Sequence, residues 1–243
     1  MRDIVETCDV TRNEAGGPQE NLNATEGNDD LTIVTTENGL GTTLFALGGD
    51  DTITDYSSGG SNIYGGEGND VIVQSAAGWN GSLLSGGSGN DDITGGSHST
   101  INGGEGNDTL NGFVGGYNQS STLEYHDANQ SIEDVVAVTV DFSNGTATDN
   151  WGDSDVVSNF GNVIGTMKGD TFIGSSSQNQ MSYTGLAGSD TIIGAAEVWN
   201  TVEYKSDEYN GGTEGIDVDL AAGARMLASM YHSLMSIMLG IIP

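Results

Sequence analysis

Positive charge is nearly absent from this chain. Only 5 Lys and Arg residues stand against 35 Asp and Glu, a formal net charge of −30 over 243 residues. Such a surface repels nucleic-acid phosphates and anionic lipid headgroups, which argues against both as partners. With so few Lys or Arg to pair with the carboxylates, metal cations are the natural counter-charge. Proline is scarce too, at 2 residues, and the single cysteine, Cys8, excludes an internal disulfide framework and reads as a stray thiol. No run approaches the ~18–20 apolar residues of a membrane helix. The N-terminal stretch MRDIVETCDVTRNEAGGPQEN has no apolar core of the kind a cleaved secretory signal carries. If the protein is exported, the expectation is a route that does not read such a signal. GxSxG, HExxH and P-loop spacings are all missing, and His98, His126 and His232 show no paired spacing. The chain is therefore expected not to be an enzyme.

What it has instead is glycine, 39 residues, arranged in a repeat. GGEGND-VIV at 65–73, GGSGND-DIT at 86–94 and GGEGND-TLN at 103–111 share one nine-residue plan, six for a turn and three for a short strand. Weaker copies stand at 24–32 and 46–54, with degenerate ones between. The expected inward residues are Leu31, Leu44, Ile53, Ile63, Ile72, Leu83, Ile93, Ile101 and Leu110. The turn positions beside them run Asp29, Thr42, Asp51, Ser61, Asp70, Gly81, Asp91, Ser99, Asp108, so every second turn carries Asp. A second block alternates Asp155, Asn162, Asp170, Asn179, Asp190 and Asn200, each two residues before Val157, Ile164, Phe172, Met181, Ile192 and Val202. Strands this short must stack on neighbours to satisfy their backbone groups. The pattern predicts an all-β parallel solenoid with two strands per coil and two columns of turns, one acidic and one presenting Asn, Ser, Thr or Gly.

Turn chemistry alone explains any single Asp, since Gly supplies positive φ and Asp bonds its own backbone. It does not explain the return of Asp at every second turn. Coils stack ~4.7–4.9 Å apart. Two carboxylates ~5 Å apart at an effective dielectric of ~20 repel by roughly 3 kcal/mol. A divalent ion between the rungs would remove that repulsion. Calcium fits a hard site of ~6–8 oxygens drawn from carboxylates and glycine carbonyls, magnesium less well, and zinc lacks its preferred ligands.

GGEGNDVIV, GGSGNDDIT and GGEGNDTLN resemble the glycine-rich nonapeptides of RTX (repeats-in-toxin) proteins, the hemolysin-type calcium-binding proteins of Gram-negative bacteria; the resemblance spans roughly residues 24–224. It implies a right-handed parallel β-roll holding several calcium ions between its turns, folding on export through a type I system, and hence an extracellular or cell-surface location. By position, Asp29, Asp51, Asp70, Asp91 and Asp108 match the family's ligand Asp, and Gly66, Gly68, Gly87, Gly89, Gly104 and Gly106 its turn glycines. Asp155, Asp170 and Asp190 match less closely because their turns lack the GG doublet. The usual roll carries Asp in both columns, so calcium is expected here chiefly along one edge.

The organisation expected is a leader over 1–23, a first roll block over 24–112, an inserted β segment over 113–154 and a second block over 155–204. A partial second insert over 205–224 and a tail over 225–243 follow. The two inserts form a longer repeat, pairing Tyr125 with Tyr204 and Asp141 with Asp219. In the tail, Met226, Leu227, Met230, Tyr231, Leu234, Met235 and Met238 recur at helical spacing. That stretch reads as a short amphipathic cap, as an uncleaved secretion signal, or as a sequence foreign to the fold. The main functional expectation is a non-catalytic secreted module that folds on calcium. The alternatives are a surface-adhesion or matrix module, S-layer-like or carbohydrate-binding, and the repeat region of a larger secreted enzyme or toxin. Trp79, Trp151 and Trp199 would serve a sugar platform, although packing explains them more simply. A cell-surface or polysaccharide partner and self-association through the solenoid ends are the partners this reading allows.

Overall fold

The computed structural model describes residues 7–12, 21–35, 42–57, 59–74, 81–113, 119–126, 135–203, 216–220, 225–229 and 235–239. Trp79, Tyr204, His232 and most of the second insert lie outside these residues. The chain divides into two compact units, Met1–Thr122 and Leu123–Pro243, so the boundary falls inside the segment read as an insert. Among the described residues every regular element is a strand, and no helix is long and apolar enough to cross a membrane.

The first unit contains β1 (Thr7–Arg12), β2 (Asn21–Asn23), β3 (Asp30–Thr35), β4 (Thr43–Phe45), β5 (Thr52–Asp55) and β6 (Asn62–Glu67). β7 (Val71–Gln74), β8 (Leu83–Ser88), β9 (Asp92–Thr94), β10 (Thr100–Glu105) and β11 (Thr109–Asn111) complete it, with β12 (Ser121–Glu124) at the boundary. Odd strands from β1 to β11 stack in one parallel sheet and even strands from β2 to β10 in another. This is the solenoid that the nine-residue period predicts. Each strand hydrogen-bonds to at least one neighbouring coil, so no three-residue strand has to stand alone.

Alternation along each strand sends one aliphatic side chain inward per half-coil. In the odd sheet Leu31, Ile53, Ile72, Ile93 and Leu110 pair in register, and in the even sheet Leu44, Ile63, Leu84 and Ile101 do. All of them are buried. Each contributes roughly 1.5–3 kcal/mol of transfer free energy. One member differs from the sequence expectation: Leu84, not Leu83, is inward, because β8 pairs Ile63 with Leu84. The neighbouring turn position is accordingly Ser82 rather than Gly81.

The second unit contains β13 (Thr139–Asp141), β14 (Thr146–Thr148), β15 (Ser154–Ser158), β16 (Phe160–Ile164), β17 (Thr171–Ile173) and β18 (Gln180–Thr184). β19 (Thr191–Gly194), β20 (Trp199–Glu203), β21 (Ile216–Leu220), β22 (Arg225–Ser229) and β23 (Met235–Leu239) follow. β14 is antiparallel to both β13 and β15, a meander set into an otherwise parallel order. The long repeat has a structural counterpart: Asp141 pairs with Ile173, Ile173 with Ile193 and Ile193 with Asp219, so its two Asp residues share one level. The copies are coil strands in register, and the antiparallel meander is what interrupts the roll.

The tail departs from its helical spacing. Arg225–Ser229 pairs in parallel with β20, and Met235–Leu239 with β21. A parallel sheet edge presents unpaired N–H and C=O groups, and satisfying them outweighs a side-chain pattern that suits either periodicity over five residues.

Candidate metal centre

The GGxGxD turn is built by glycines that have no room for a β-carbon. Gly66 and Gly68 adopt φ +117° and +129°. A Cβ at Gly66 would lie 2.0 Å from the Leu47 carbonyl oxygen, and one at Gly68 2.0 Å from that of Gly49. Gly87, Gly89, Gly104 and Gly106 repeat this, each against the matching carbonyl of the preceding coil at 1.9–2.1 Å. The six glycines singled out by sequence therefore make room for two files of carbonyl oxygens, Leu47–Gly66–Gly87 and Gly49–Gly68–Gly89.

The first glycine of the doublet, not singled out above, has a different role. A Cβ at Gly65 would lie 2.1 Å from Asp70 Oδ2 and 2.5 Å from the Gly86 carbonyl oxygen. At Gly86 the same two contacts are Asp91 Oδ2 at 2.0 Å and the Gly103 oxygen at 2.5 Å, and at Gly103 the first contact is Asp108 Oδ2 at 2.0 Å. Each Asp thus folds back across its own turn, and for Asp70 and Asp91 the Oδ2 and a carbonyl of the next coil face the same spot.

Asp29, Asp51, Asp70, Asp91 and Asp108 form one buried ladder, none more than 4% exposed. The Asp29 N–H donates to Asp51 Oδ1 at 2.8 Å, Asp51 to Asp70 at 2.9 Å, Asp70 to Asp91 at 2.8 Å and Asp91 to Asp108 at 2.8 Å. Their other oxygens are a different matter. Oδ2 of Asp51, Asp70 and Asp91, and Oδ1 of Asp29, are buried with no hydrogen-bond partner. Burial, reinforced by the neighbouring carboxylates, pushes Asp51 up to about 6 and Asp91 up to about 7, and raises Asp70 as well. Among the described residues no three His, Cys, Asp or Glu side chains gather closely enough to hold an ion. Any ion here would draw on backbone oxygens for most of its shell. The donor set is all hard oxygen, carboxylate and carbonyl, which suits calcium.

The residue before each Asp forms a second ladder that sequence reasoning treated as turn chemistry. Asn28 Oδ1 accepts from the Asp50 N–H at 3.0 Å, Asp50 from Asn69 at 2.8 Å, Asn69 from Asn90 at 2.8 Å and Asn90 from Asn107 at 2.8 Å. It runs opposite to the Asp ladder: Asn accepts from the following coil, Asp from the preceding one. The recurring N-D dipeptide was its only sequence signal.

Among the described residues the opposite edge of this unit carries one buried carboxylate, Asp55, amid neutral groups. Ser57 and Ser61 hydroxyls lie 2.9 Å apart, and the Ser61 N–H donates to Ser82 Oγ at 3.0 Å. Gln74 donates through Nε2 to Asp55 Oδ2 at 3.3 Å and to Ser82 Oγ. Its Oε1 accepts from the Ser99 hydroxyl at 2.6 Å and the Gly96 N–H at 3.1 Å. These groups are buried and satisfy one another without an ion, in keeping with the expectation that one edge differs from the other.

In the second unit Asp170 and Asp190 continue the pattern. Both are 1% exposed, and the Asp170 N–H donates to Asp190 Oδ1 at 2.9 Å. Both Asp170 oxygens accept bonds, from Thr166 and from the Val138 N–H, and burial pushes its carboxyl up to about 6. Asp155 is placed elsewhere. It pairs with Ala147, Ala147 with Val140 and Val140 with Phe172, so Asp155 stands level with the apolar row. There its Oδ2 accepts from the Tyr125 hydroxyl at 2.9 Å. The antiparallel meander breaks the nine-residue register and moves Asp155 out of the ladder. The Asn alternation also loosens: Val163 rather than Ile164 is buried, Met181 and Tyr183 are both buried, Asn162 and Asn179 are not, and only Asn200 sits inside. Trp151 and Trp199 are exposed at 42% and 43%.

Neither a family model nor a curated protein matches the chain.

Proposed function

We propose that this chain is a secreted, non-catalytic calcium-binding β-solenoid whose acidic edge closes around ions. The observation that supports it is the ladder of buried carboxylates, in which Asp29, Asp51, Asp70 and Asp91 each keep one oxygen without a hydrogen-bond donor. A buried acceptor without a partner costs about 1–3 kcal/mol, more when charged. Three such groups in adjacent coils, at Asp51, Asp70 and Asp91, are a poor design unless a cation completes them. Asp29, Asp51, Asp70, Asp91 and Asp108 would hold the ions together with carbonyls of the glycine turns, and Asp170 and Asp190 would do so in the second unit. The ions would cancel the mutual repulsion of the ladder and give its open oxygens a partner. Export without a cleaved signal and a location outside the cell follow from the RTX resemblance, where calcium near ~10⁻⁴–10⁻³ M is available.

Circular dichroism in chelator and in millimolar calcium tests this. The expected result is a largely unfolded chain that gains β-structure cooperatively on calcium addition. Asp91→Asn, which keeps the Oδ1 acceptor, should shift the calcium midpoint upward by at least several-fold, whereas Ser61→Ala should shift it less. A spectrum indifferent to calcium sinks the proposal.

A second reading, an adhesion or matrix module, rests on the outer face of the second unit. Ser154, Thr148, Thr139, Thr171 and Thr191 pair in one line across five adjacent strands, pointing away from the core. A regular, uncharged hydroxyl row on a chain of −30 charge suits a repeating polyhydroxyl polymer. Retention on insoluble polysaccharide, lost in Thr139→Lys/Thr171→Lys, would favour it; no retention by the calcium-loaded chain would exclude it.

A further inference from the structure

The turn that links β14 to β15, Asp149–Asp153, lies outside the nonapeptides and contains none of the carboxylates assigned above. Asp149 is fully buried. Its Oδ1 accepts three backbone N–H groups, from Trp151 at 2.9 Å, Gly152 at 2.7 Å and Asp153 at 2.7 Å. Its Oδ2 is buried with no hydrogen-bond partner. Burial pushes this carboxyl up, the three N–H bonds pull it down, and the nearby Asp153 charge pushes it up again.

Register explains why a carboxylate stands here. Val140 pairs with both Ala147 and Phe172, which sets Asp149 level with Val138 and Asp170. The Val138 N–H indeed donates to Asp170 Oδ1 at 2.9 Å. Across the turn, Thr148 pairs with Ser154 and the Asp149 N–H donates to the Asp153 carbonyl at 3.0 Å, which sets Asp153 level with Asp149. The meander carries Asp155 off the acidic line and returns Asp149 and Asp153 to it. A carboxylate with one oxygen clamped by three donors and the other left open is pre-oriented for one further partner. With no donor there, a second carboxylate beside it makes that partner a cation.

We propose that Asp149 Oδ2 and the Asp153 carboxylate form a hard divalent-cation site, Ca²⁺ or Mg²⁺, with water filling the remaining positions. Two carboxylates and retained water suit either ion. The site goes beyond the nonapeptide reading and does not depend on it, since none of its residues belongs to a GGxGxD turn.

Terbium luminescence sensitised by Trp151, two residues from Asp149, tests the site in the full chain. In a Trp79→Phe/Trp199→Phe background Trp151 is the only tryptophan left, since the chain has 3. Excitation at the red edge of tryptophan absorption should give terbium emission that Ca²⁺ or Mg²⁺ competes away. Asp149→Asn keeps the oxygen that accepts the three N–H bonds and replaces only the open one. It should cut this emission about tenfold with the circular dichroism spectrum unchanged. Asp153→Asn, at a partly exposed position, is the second variant and should cut it similarly. Emission retained in both variants overturns the site whatever calcium does to the fold. Emission that needs Asp149 in a chain whose spectrum ignores calcium keeps the site and discards the calcium-folding reading instead.

Discussion

A methyl group at Gly65 would have nowhere to go. Its place is bounded by Asp70 Oδ2 at 2.1 Å and the Gly86 oxygen at 2.5 Å, so an alanine must either evict the carboxylate or spread the coils. Overpacking of this kind costs about 1–3 kcal/mol. Gly65→Ala should therefore lower the unfolding free energy, measured by urea in saturating calcium, by that amount. Gly27→Ala is the control, because its Cβ would meet only Thr25 Oγ1 at 3.8 Å; it should cost under about 0.5 kcal/mol. The GG doublet was plain in the sequence, and the second glycine was understood through its positive φ. The first was not, because its constraint comes from a side chain five residues on. Only folding brings that side chain across the turn.

Gln74 does for the neutral edge what the Asp ladder does for the acidic one. It sits at the end of β7 and bridges three coils, bonding Asp55 behind it, Ser82 beside it, and Ser99 and Gly96 ahead. Gln74→Ala would leave several buried polar groups without partners, each costing about 1–3 kcal/mol. The expected loss is about 2–4 kcal/mol in urea unfolding with saturating calcium, where ion binding no longer limits stability. A loss under about 1 kcal/mol would show that water replaces the amide. Nothing in the repeat pattern marks Gln74, since it lies outside the nine-residue unit and acts through residues 8 to 25 positions away. At this scale the strands themselves were legible, because a short aliphatic triplet after a glycine turn has few other options. Leu83 against Leu84 was not: two adjacent leucines satisfy the pattern equally, and β8 pairing with β6 decides between them.

Across the whole molecule, burial of the acidic ladder makes stability depend on pH in a direction opposite to the usual acid denaturation. Asp51 and Asp91 have an ordinary value of 3.8 and rise to about 6 and about 7 in the folded chain. The folded state then binds more protons than the unfolded one between about pH 4 and 7. Stability in chelator is fully present below pH ~4 and falls as pH rises through 6 and 7. More β-structure by circular dichroism in chelator at pH 4.5 than at pH 7.5 is the expected outcome. With calcium the order should flatten or reverse, since an ion needs the deprotonated carboxylates. A β-signal in chelator that rises with pH would contradict the buried ladder.

Composition and period settled the class of fold, because a chain with few large side chains and an aliphatic residue every nine or so positions can bury them only by coiling. They also settled which edge is acidic, since a fixed period puts like turns on like sides. What tertiary structure decided is where the period fails. The antiparallel meander β13–β14–β15 exchanges Asp155 for Asp149 and Asp153 on the acidic line, and the tail forms strands where its spacing suggests a helix. Both outcomes turn on hydrogen bonds between segments distant in sequence, and a local pattern carries no information about which distant backbone waits to be paired.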